Sequence, residues 1–351
     1  MICPACVIEM PEEDLFCENC GLKLGDPAPD APEAPQARCI CGAPASETDE
    51  DGFCLRCGLR ARRSESAEPA REPDPTDRIE QQLSPQFAAV SDRGRRHAKN
   101  EDRFGILEIG EAYAMVVCDG VSTSQTAEVA STVVTAAILE SLSISLSAAT
   151  PPDANPDASA AIRHAIAAGA AALNAHTNPY TEENPPSTTV VAALVIAGAA
   201  TIGWLGDSRA YWIDLSNSIA IPLTHDHSWL NAVVGAGEMT PELAARSPQA
   251  HAITRWVGAD AVADLEIDIV RHPLPASNGI LLLCTDGLWN YFPTPEAMAG
   301  IVQNASQSGQ DALAIARQLV DLANRRGGHD NITAAVLIHH QPQSGEPQRE
   351  D

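Results

Sequence analysis

Two apolar segments of this sequence end in the dipeptide Asp-Gly. The segment MVVCDGVS covers residues 115–122 and contains Asp119, and GILLLCTDGLW covers residues 279–289 and contains Asp286. Acidic residues stand beside three other apolar segments: Glu101 and Asp102 in KNEDR, Asp207 in LGDSR and Asp330 in HDNIT. A single Asp-Gly pair is an ordinary turn. Repeated in one domain, the pattern indicates carboxylates that gather at one end of a sheet.

Carboxylates gathered in this way repel one another unless cations lie between them. A ligand set made only of oxygens favours a hard cation, Mg²⁺ or Mn²⁺. A glycine after the aspartate leaves its own carbonyl accessible as a further ligand, here that of Gly120. Two such ions about 3.5–4 Å apart would bridge a water molecule and make it a hydroxide near neutral pH. This is the chemistry of a centre that hydrolyses phosphate esters.

A different metal chemistry is indicated at the start of the chain, where eight of the ten cysteines fall within the first 57 residues. They form two similar segments, 1–24 and 38–60, and the ligands would be Cys3, Cys6, Cys17 and Cys20 in the first and Cys39, Cys41, Cys54 and Cys57 in the second. Four thiolates suit tetrahedral zinc, and so short a segment depends on metal binding to fold. We predict two zinc ribbons with two structural Zn²⁺ ions. The second departs from the first by CxC in place of CxxC, and an iron–sulfur or redox role is the alternative for both.

The segments around the ribbons read as linkers. Residues 25–37 are rich in proline and alanine and are expected to be extended. Residues 61–85 are polar with mixed charge, and we predict a disordered linker. Residues 341–351 read as a disordered tail. The remaining segment, 86–340, would form one large domain.

Composition restricts the partners of the protein. The net charge is -25 and the isoelectric point about 4.6, which argues against binding to nucleic acid or to an anionic membrane. The start, MICPAC, does not resemble a secretory signal, so we expect a cytoplasmic protein with reduced cysteines. Residues 185–206 carry no charge. A hairpin of two buried strands that turns near Ala197-Gly198-Ala199 fits them better than a membrane-spanning helix.

Strand clusters in 86–340 are separated by pairs of helices, which indicates an α+β fold with antiparallel sheets. Strands are expected near 87–91, 104–109, 113–118, 188–196, 200–206, 209–214, 265–271, 279–285 and 331–338. Helices are expected near 124–145, 158–177, 295–304 and 309–325, with a short helical region at 227–247.

Eight motifs then occur in an order and spacing that resemble the PP2C family of metal-dependent serine/threonine protein phosphatases. They are SDRGRRHAKNED, VVCDGVS, STTVVAALV, GWLGDSRAY, THDHS, TPELAARSPQAHAITRWVG, LLLCTDGLW and HDNITAAV. The resemblance covers nearly all of 86–340. It implies an αββα sandwich, in which two antiparallel sheets lie face to face with helix pairs outside, and a binuclear Mg²⁺ or Mn²⁺ centre at one end.

The resemblance also implies roles for individual residues. Asp119 would bridge two ions and Gly120 would add its carbonyl. Asp286 and Asp330 would complete the first metal site, Glu101 would hold the second, and Asp207 matches the position of a third, weaker ion. Asp102 and Asn331 would lie behind the ligands. Residues 231–250 match the flap beside the active site.

Two positions depart from the family pattern. The arginine that grips the substrate phosphate in many members is replaced by His97, with Arg96 beside it but out of register. The histidine that often follows the Asp-Gly is replaced by Val121. His97 and Arg96 are therefore our candidates for phosphate binding. The triplet His225-Asp226-His227 looks like a metal motif but is interpreted as a structural turn.

The sequence thus predicts a phosphatase for phosphoserine and phosphothreonine, in which a hydroxide that bridges two ions attacks phosphorus directly. Its zinc ribbons would recruit phosphorylated partners or regulate access. The alternative is a weak or inactive scaffold that binds phosphoproteins, although no metal-ligand position has been lost. A nucleic-acid-binding role for the ribbons conflicts with the acidic charge.

Overall fold

The computed structural model describes residues 74–124, 126–148, 157–176, 184–258, 265–275, 277–292 and 294–340. The chain divides into two units between Asp74 and Pro75, and the described residues belong to the second unit apart from Asp74. The segments 1–24, 25–37, 38–60 and 341–351 lie outside the described residues. The predictions made for them therefore stay predictions.

Two antiparallel sheets form the centre of the domain. The strands of the first sheet, in spatial order, are β1 (Arg78–Ser84), β2 (Phe87–Asp92), β13 (Ile332–His339), β12 (Gly279–Cys284), β8 (Arg209–Asp214) and β9 (Ile219–Pro222). Those of the second are β11 (Asp268–Pro273), β7 (Ala199–Leu205), β6 (Val190–Ile196), β4 (Ala112–Cys118) and β3 (Arg103–Ile109). A short ladder pairs β5 (Ser187–Thr188) with β10 (Val257–Gly258).

The described residues contain seven helices. They are α1 (Ala127–Ala148), α2 (Ala158–His176), α3 (Trp229–Gly235), α4 (Pro241–Ala244), α5 (Asp286–Trp289), α6 (Pro295–Gln307) and α7 (Ala312–Arg325). Helices α1 and α2 pack on the second sheet, and α5, α6 and α7 pack on the first. This arrangement confirms the αββα sandwich.

Side-chain alternation along the strands creates three apolar layers. In β2, Phe87 and Ala89 point into the layer between the two sheets, whereas Ala88 and Val90 point toward the helices α5 to α7. Because both faces of the central strands are buried, their sequences read as continuous apolar runs, such as GILLLC in β12. The same property explains why apolar runs identified these strands in the sequence.

The uncharged segment 185–206 forms the predicted hairpin, with β6 paired to β7. The turn residues Ala197 and Gly198 both have positive φ, at 47° and 69°. A two-residue turn of this kind matches the right-handed twist of the strands that it joins.

Helix α1 is the one helix of the described residues whose length and mean hydropathy would allow it to cross a membrane, over Ala127–Ser147. Core helices of globular domains pass the same test. The face of α1 that carries Val134, Ile138 and Leu142 is fully buried against α2 and the second sheet.

The predicted disordered linker 61–85 was wrong at its C-terminal end, because residues 78–84 form strand β1. Its sequence, RIEQQLS, is polar because β1 is an edge strand that exposes much of its surface. Main-chain pairing with β2 holds it in place. Arg78 adds ion pairs to Asp92 at 3.0 Å and to Asp321 at 2.8 Å. The ordered domain therefore begins before residue 86.

Candidate metal centre

The predicted acidic residues meet at one end of the sandwich. Asp119 directly follows β4 of the second sheet, and Asp286 stands two residues after the end of β12 of the first, at the start of α5. The strand register brings two further acids to the same end. Cys118 pairs with Arg103, which directly follows Asp102, and Cys284 pairs with Ala334, which stands shortly after Asp330. We call the residues Glu101, Asp102, Asp119, Asp207, Asp286 and Asp330 the acidic cluster.

Mutual repulsion shows how close the members of the acidic cluster lie. Burial raises the pKa of Asp119 well above its ordinary value, and the charges of Asp102, Asp286, Asp330 and Asp207 raise it further. Burial and the charges of Asp330 and Asp207 likewise raise the pKa of Asp286. Without cations, the protein can hold these groups together only by keeping protons on some of them.

Asp102 provides the test of whether a cation fits. Its side chain is fully buried, and burial raises its pKa to about 7. Oδ2 accepts hydrogen bonds from Thr285 at 2.9 Å and from Thr333 at 2.7 Å. Oδ1 has no hydrogen-bond donor among the described residues, and the carboxyl of Asp119 is the neighbouring group. Two acceptors that face each other need a positive charge or a proton between them, so these residues fit a bound cation.

Gly120 lies where the Asp119 strand end meets helix α1. It forms an isolated β-bridge with Thr188, whose hydroxyl donates to the carbonyl of Asp119 at 2.8 Å. The backbone N–H of Thr189 donates to the same carbonyl at 2.8 Å. The backbone next to the predicted bridging carboxylate is therefore fixed from the neighbouring strand.

Asn331 connects two of the acidic segments. Its Oδ1 accepts from the backbone N–H of Glu101 at 2.7 Å, and its Nδ2 donates to the carbonyls of Arg93 and Lys99. The side chain is buried, so the amide exchanges hydrogen bonds with the protein and not with water. Glu101 itself accepts from the hydroxyl of Ser122 at 2.8 Å. Asn331 thus holds the Glu101 loop against the Asp330 loop.

Gly287 allows Asp286 to approach Asp330. A Cβ at residue 287 would lie 1.9 Å from the backbone carbonyl oxygen of Asn331 and 3.3 Å from the Cβ of Asp330. Neither neighbour can move away without displacing β13, which begins at Ile332. A glycine is therefore required for close approach of backbone to backbone.

We expect Gly287→Ala to lower the free energy of unfolding by about 3 kcal/mol, since overpacking against backbone cannot relax. Calorimetric melting of the full chain would measure the change. Gly300→Ala is the matched control, because a Cβ at residue 300 in α6 meets nothing within 4 Å. The control should melt at or above the wild-type temperature, since alanine is the better helix former. Equal melting of Gly287→Ala and wild type would contradict the close approach.

The two phosphate-binding candidates lie at the rim of the acidic cluster. The Nε2 of His97 is 3.2 Å from Oδ1 of Asp330. Arg96 is exposed, and its charge is close enough to lower the pKa of His329, although burial lowers that pKa more. His97 therefore lies beside the cluster, and Arg96 lies near its neighbour His329.

The triplet His225-Asp226-His227 divides between two partners. Asp226 forms a two-point ion pair with Arg209, at 2.8 and 2.7 Å. Both histidines instead reach Asp268 on β11.

Several residues that support the acidic cluster were missed in the sequence. They are Thr285 and Thr333, which hold Asp102, and Trp289, whose Nε1 donates to the carbonyl of Asp207 at 3.0 Å. Thr285 directly precedes Asp286, so its position beside a ligand was a usable signal. Nothing local in the sequence connects Thr333 with Asp102.

Comparisons with known proteins agree with this geometry. The family model described as protein phosphatase 2C matches residues 92–322. The chain is 28% identical over 260 residues to a serine/threonine phosphatase, stp, of Listeria innocua, which covers 73% of this chain and 96% of the relative. It is also 28% identical over 252 residues to the serine/threonine protein phosphatase PstP of Mycobacterium tuberculosis, covering 71% of this chain and 44% of PstP.

Solved structures are similar as well. The serine/threonine phosphatase Stp1 of Staphylococcus aureus superposes with a TM-score of 0.60 at 28% identity, over 73% of this chain and 95% of Stp1. The catalytic domain of PstP in complex with two manganese ions superposes with a TM-score of 0.53 at 26% identity, over 74% of this chain and 99% of that domain. Together with the αββα sandwich and the acidic cluster, these matches show that the chain belongs to the protein phosphatase 2C family of metal-dependent serine/threonine phosphatases.

Proposed function

We propose that the acidic cluster is the catalytic centre of this phosphatase and that it removes phosphate from phosphoserine and phosphothreonine in proteins. The observation that carries the proposal is the meeting of Asp119 and Asp286 from two different sheets, where burial and the charges of neighbouring carboxylates raise the pKa of both. Carboxylates in such surroundings cost folding energy. Their purpose is therefore to bind cations and not to stabilise the fold.

The cations would be Mn²⁺ or Mg²⁺, two and with Asp207 a third, because every ligand is an oxygen. Asp119 would hold two ions with the help of the Gly120 carbonyl, Asp286 and Asp330 would complete one site, and Glu101 would belong to the other. When bound, the ions supply Lewis acidity and make the attacking water more acidic.

The other residues of the centre orient these ligands. Asp102 receives two threonine hydroxyls and presents its free Oδ1 to the cluster. Asn331 fixes the two loops that carry Glu101 and Asp330. These contacts keep the carboxylates in place before the substrate arrives, so little reorganisation is needed during the reaction.

His97 and Arg96 would bind the substrate phosphate. Both side chains can donate hydrogen bonds to its oxygens from the rim of the cluster. An arginine presents a planar pair of donors to phosphate, whereas an imidazole presents one. The replacement of the usual arginine by His97 should therefore weaken the grip on phosphate and leave cation binding intact.

The test is hydrolysis of a phosphothreonine peptide by the full chain with Mn²⁺, compared with the same protein in EDTA. Turnover that requires Mn²⁺ supports the proposal. A protein that binds Mn²⁺ and the phosphopeptide but does not hydrolyse it would contradict it and favour the phosphoprotein-binding scaffold.

We expect His97→Ala to raise KM for the phosphopeptide about 10-fold with a smaller change in kcat, because a hydrogen bond to a charged group contributes roughly 1.5–3 kcal/mol. His97→Arg should lower KM below the wild-type value. Steady-state kinetics at saturating Mn²⁺ would measure both. His164→Ala, on the exposed face of α2, is the control and should leave KM unchanged. A wild-type KM in His97→Ala would exclude His97 from phosphate binding.

For the cysteine segments, we propose two structural Zn²⁺ ions and a role in recruiting phosphorylated partners to a cytoplasmic enzyme. The CxxC spacing of the segments supports the zinc sites. Metal analysis of the full chain should find about two equivalents of zinc, and fewer in a variant with Cys17→Ser and Cys20→Ser. Unchanged zinc content in that variant would contradict the first site. If that variant retained in a pulldown every partner protein that the wild type retains, the recruiting role would be contradicted.

A further inference from the structure

A second group of possible metal ligands lies outside the acidic cluster. The Nε2 atoms of His225 and His227 are 3.2 and 2.9 Å from the same oxygen, Oδ2 of Asp268. Two imidazoles and a carboxylate at such distances can bind Zn²⁺. They can also form a hydrogen-bonded group without metal. The position of the proton on His227 decides between these possibilities.

A hydrogen bond from the backbone shows which ring nitrogen of His227 carries the proton. The N–H of Gly206 donates to Nδ1 of His227 at 3.0 Å. A backbone amide can only donate, so Nδ1 carries a lone pair and the proton of the neutral ring is on Nε2. A metal at Nε2 would have to displace this proton and leave an imidazolate, or break the bond from Gly206. The geometry therefore favours a hydrogen bond from Nε2 of His227 to Asp268.

His227 holds both polar backbone groups of Gly206. Besides accepting from its N–H, it donates its own backbone N–H to the Gly206 carbonyl at 2.9 Å. Gly206 has a φ of 106°. Holding a glycine in one backbone conformation costs considerable conformational entropy, so this residue needs partners that restrain it. Burial lowers the pKa of His227, which keeps the ring neutral and its Nδ1 available as an acceptor.

The side chains around His227 restrict its ring further. The ring of Trp204 is stacked on it at a centroid distance of 6.1 Å, and Nε1 of Trp204 donates to the carbonyl of His225 at 2.8 Å. On the other side of the loop, Trp289 donates to the carbonyl of Asp207. The backbone on either side of the Asp207 side chain is thus hydrogen-bonded to aromatic residues.

We propose that His227 is a positioning residue for Asp207. The chain of hydrogen bonds Asp268–His227–Gly206, which we call the brace, fixes the backbone from which the Asp207 carboxylate enters the acidic cluster. The inference rests on the proposed role of Asp207 as a ligand of the third, weakest cation. It predicts that a residue with no contact to any cation controls the affinity of one of them.

Two substitutions of His227 test the hydrogen bond from Gly206 separately from the size of the side chain. In His227→Asn the side-chain oxygen occupies the position of Nδ1 and can still accept from Gly206, whereas His227→Leu can accept nothing. We expect His227→Leu to weaken the lowest-affinity Mn²⁺ site of the full chain about 10-fold, as partners behind a metal ligand do. His227→Asn should remain closer to wild type.

The measurements are calorimetric titration with Mn²⁺ and amide hydrogen exchange of Gly206 in the metal-free full chain. The exchange of Gly206 should become faster in His227→Leu and stay slow in His227→Asn. His225→Ala is the matched control, since His225 also reaches Asp268 but does not contact Gly206; it should change neither quantity. In the wild type, nitrogen NMR of the His227 ring should show the proton on Nε2.

The outcomes distinguish the brace from the site that it serves. If Asp207→Asn retains the weakest Mn²⁺ site, the assignment of Asp207 is wrong and the exchange data alone judge the brace. If Asp207→Asn loses that site but His227→Leu binds and exchanges as wild type does, the brace is wrong. Stoichiometric binding of Zn²⁺ that His225→Ala abolishes would also overturn it, because it would place a metal on Nε2.

Discussion

We expect the variant Asp119→Asn to lose phosphatase turnover and, at the same time, to be more stable than the wild type in the absence of metal. Asp119 is the residue through which two cations would be held, so kcat/KM should fall by at least about 10³-fold, which corresponds to roughly 4 kcal/mol of lost transition-state stabilisation. The amide also replaces a carboxyl group whose own pKa is raised by burial and by the charges around it, so that no charge has to be buried at residue 119 above that pKa. The metal-free protein should therefore melt roughly 4–8 °C higher near pH 8, if about 2 kcal/mol of repulsion is relieved.

Activity assays with Mn²⁺ and calorimetry in EDTA measure the two effects on the same preparation. Asp214→Asn is the matched control. It is the same chemical change at the opposite end of the sandwich, where Asp214 pairs with Gly279 and its carboxylate accepts from the backbone of Ser216 and Asn217. An asparagine oxygen accepts those two bonds, but the asparagine amide cannot accept the further bond from the side chain of Asn217. The control should therefore keep its activity and should not melt higher than the wild type. Turnover by Asp119→Asn near the wild-type rate would remove Asp119 from the centre.

The metal-free protein should become less stable as the pH rises. Folding raises the pKa of Asp207 to about 6 and of Asp102 to about 7 from an ordinary value of 3.8, and it raises those of Asp119 and Asp286 well above that value. Between about pH 4 and 7 the folded state then binds more protons than the unfolded chain. The free energy of unfolding consequently decreases with pH across this interval.

Melting in EDTA at a series of pH values tests this expectation. The melting temperature should fall by several degrees from about pH 5 to pH 8, and saturating Mn²⁺ should remove the decrease, because bound cations replace the protons. Titration with Mn²⁺ near pH 6.5 should release protons, seen as a dependence of the heat on the ionisation enthalpy of the buffer. Four histidines act in the opposite direction, since burial lowers the pKa of each: His227, His272, His329 and His339. A melting temperature in EDTA that is flat or rises with pH would contradict the repulsion within the acidic cluster.

The fold was largely predictable because the central strands are buried on both faces. Apolar runs located β4, β6, β7 and β12 within a residue or two of their observed bounds. Strand β1 could not be located in this way, since an edge strand exposes polar side chains and is held by backbone pairing. Strand β9, at the opposite edge, was missed for a different reason: its apolar sequence covers only Ile219–Pro222, and Ile219 and Ile221 are exposed.

The members of the acidic cluster were predictable because each stands at or near one end of such a run, and all but Asp330 stand next to glycine or a second acid. The residues behind them were not. The hydroxyl of Thr333 meets Asp102 across 231 residues of sequence, and His227 meets Gly206 across 21. Contacts of this kind depend on which strands lie together, and spacing along one chain carries little information about that. His225 and His227 illustrate the limit: their spacing suggests a metal site, and only the N–H of Gly206 shows which nitrogen carries the proton.

Strand β13 has a consequence for how the enzyme is made. It lies between β2 and β12 in the first sheet, so the strand synthesised last among those described enters the middle of the sheet. Until it emerges from the ribosome, β2 and β12 each have an unpaired edge, a state that is prone to association with other chains. Asp330, two residues before β13, is also synthesised after every other member of the acidic cluster. A nascent chain therefore cannot complete the acidic cluster before the step that closes its sheet.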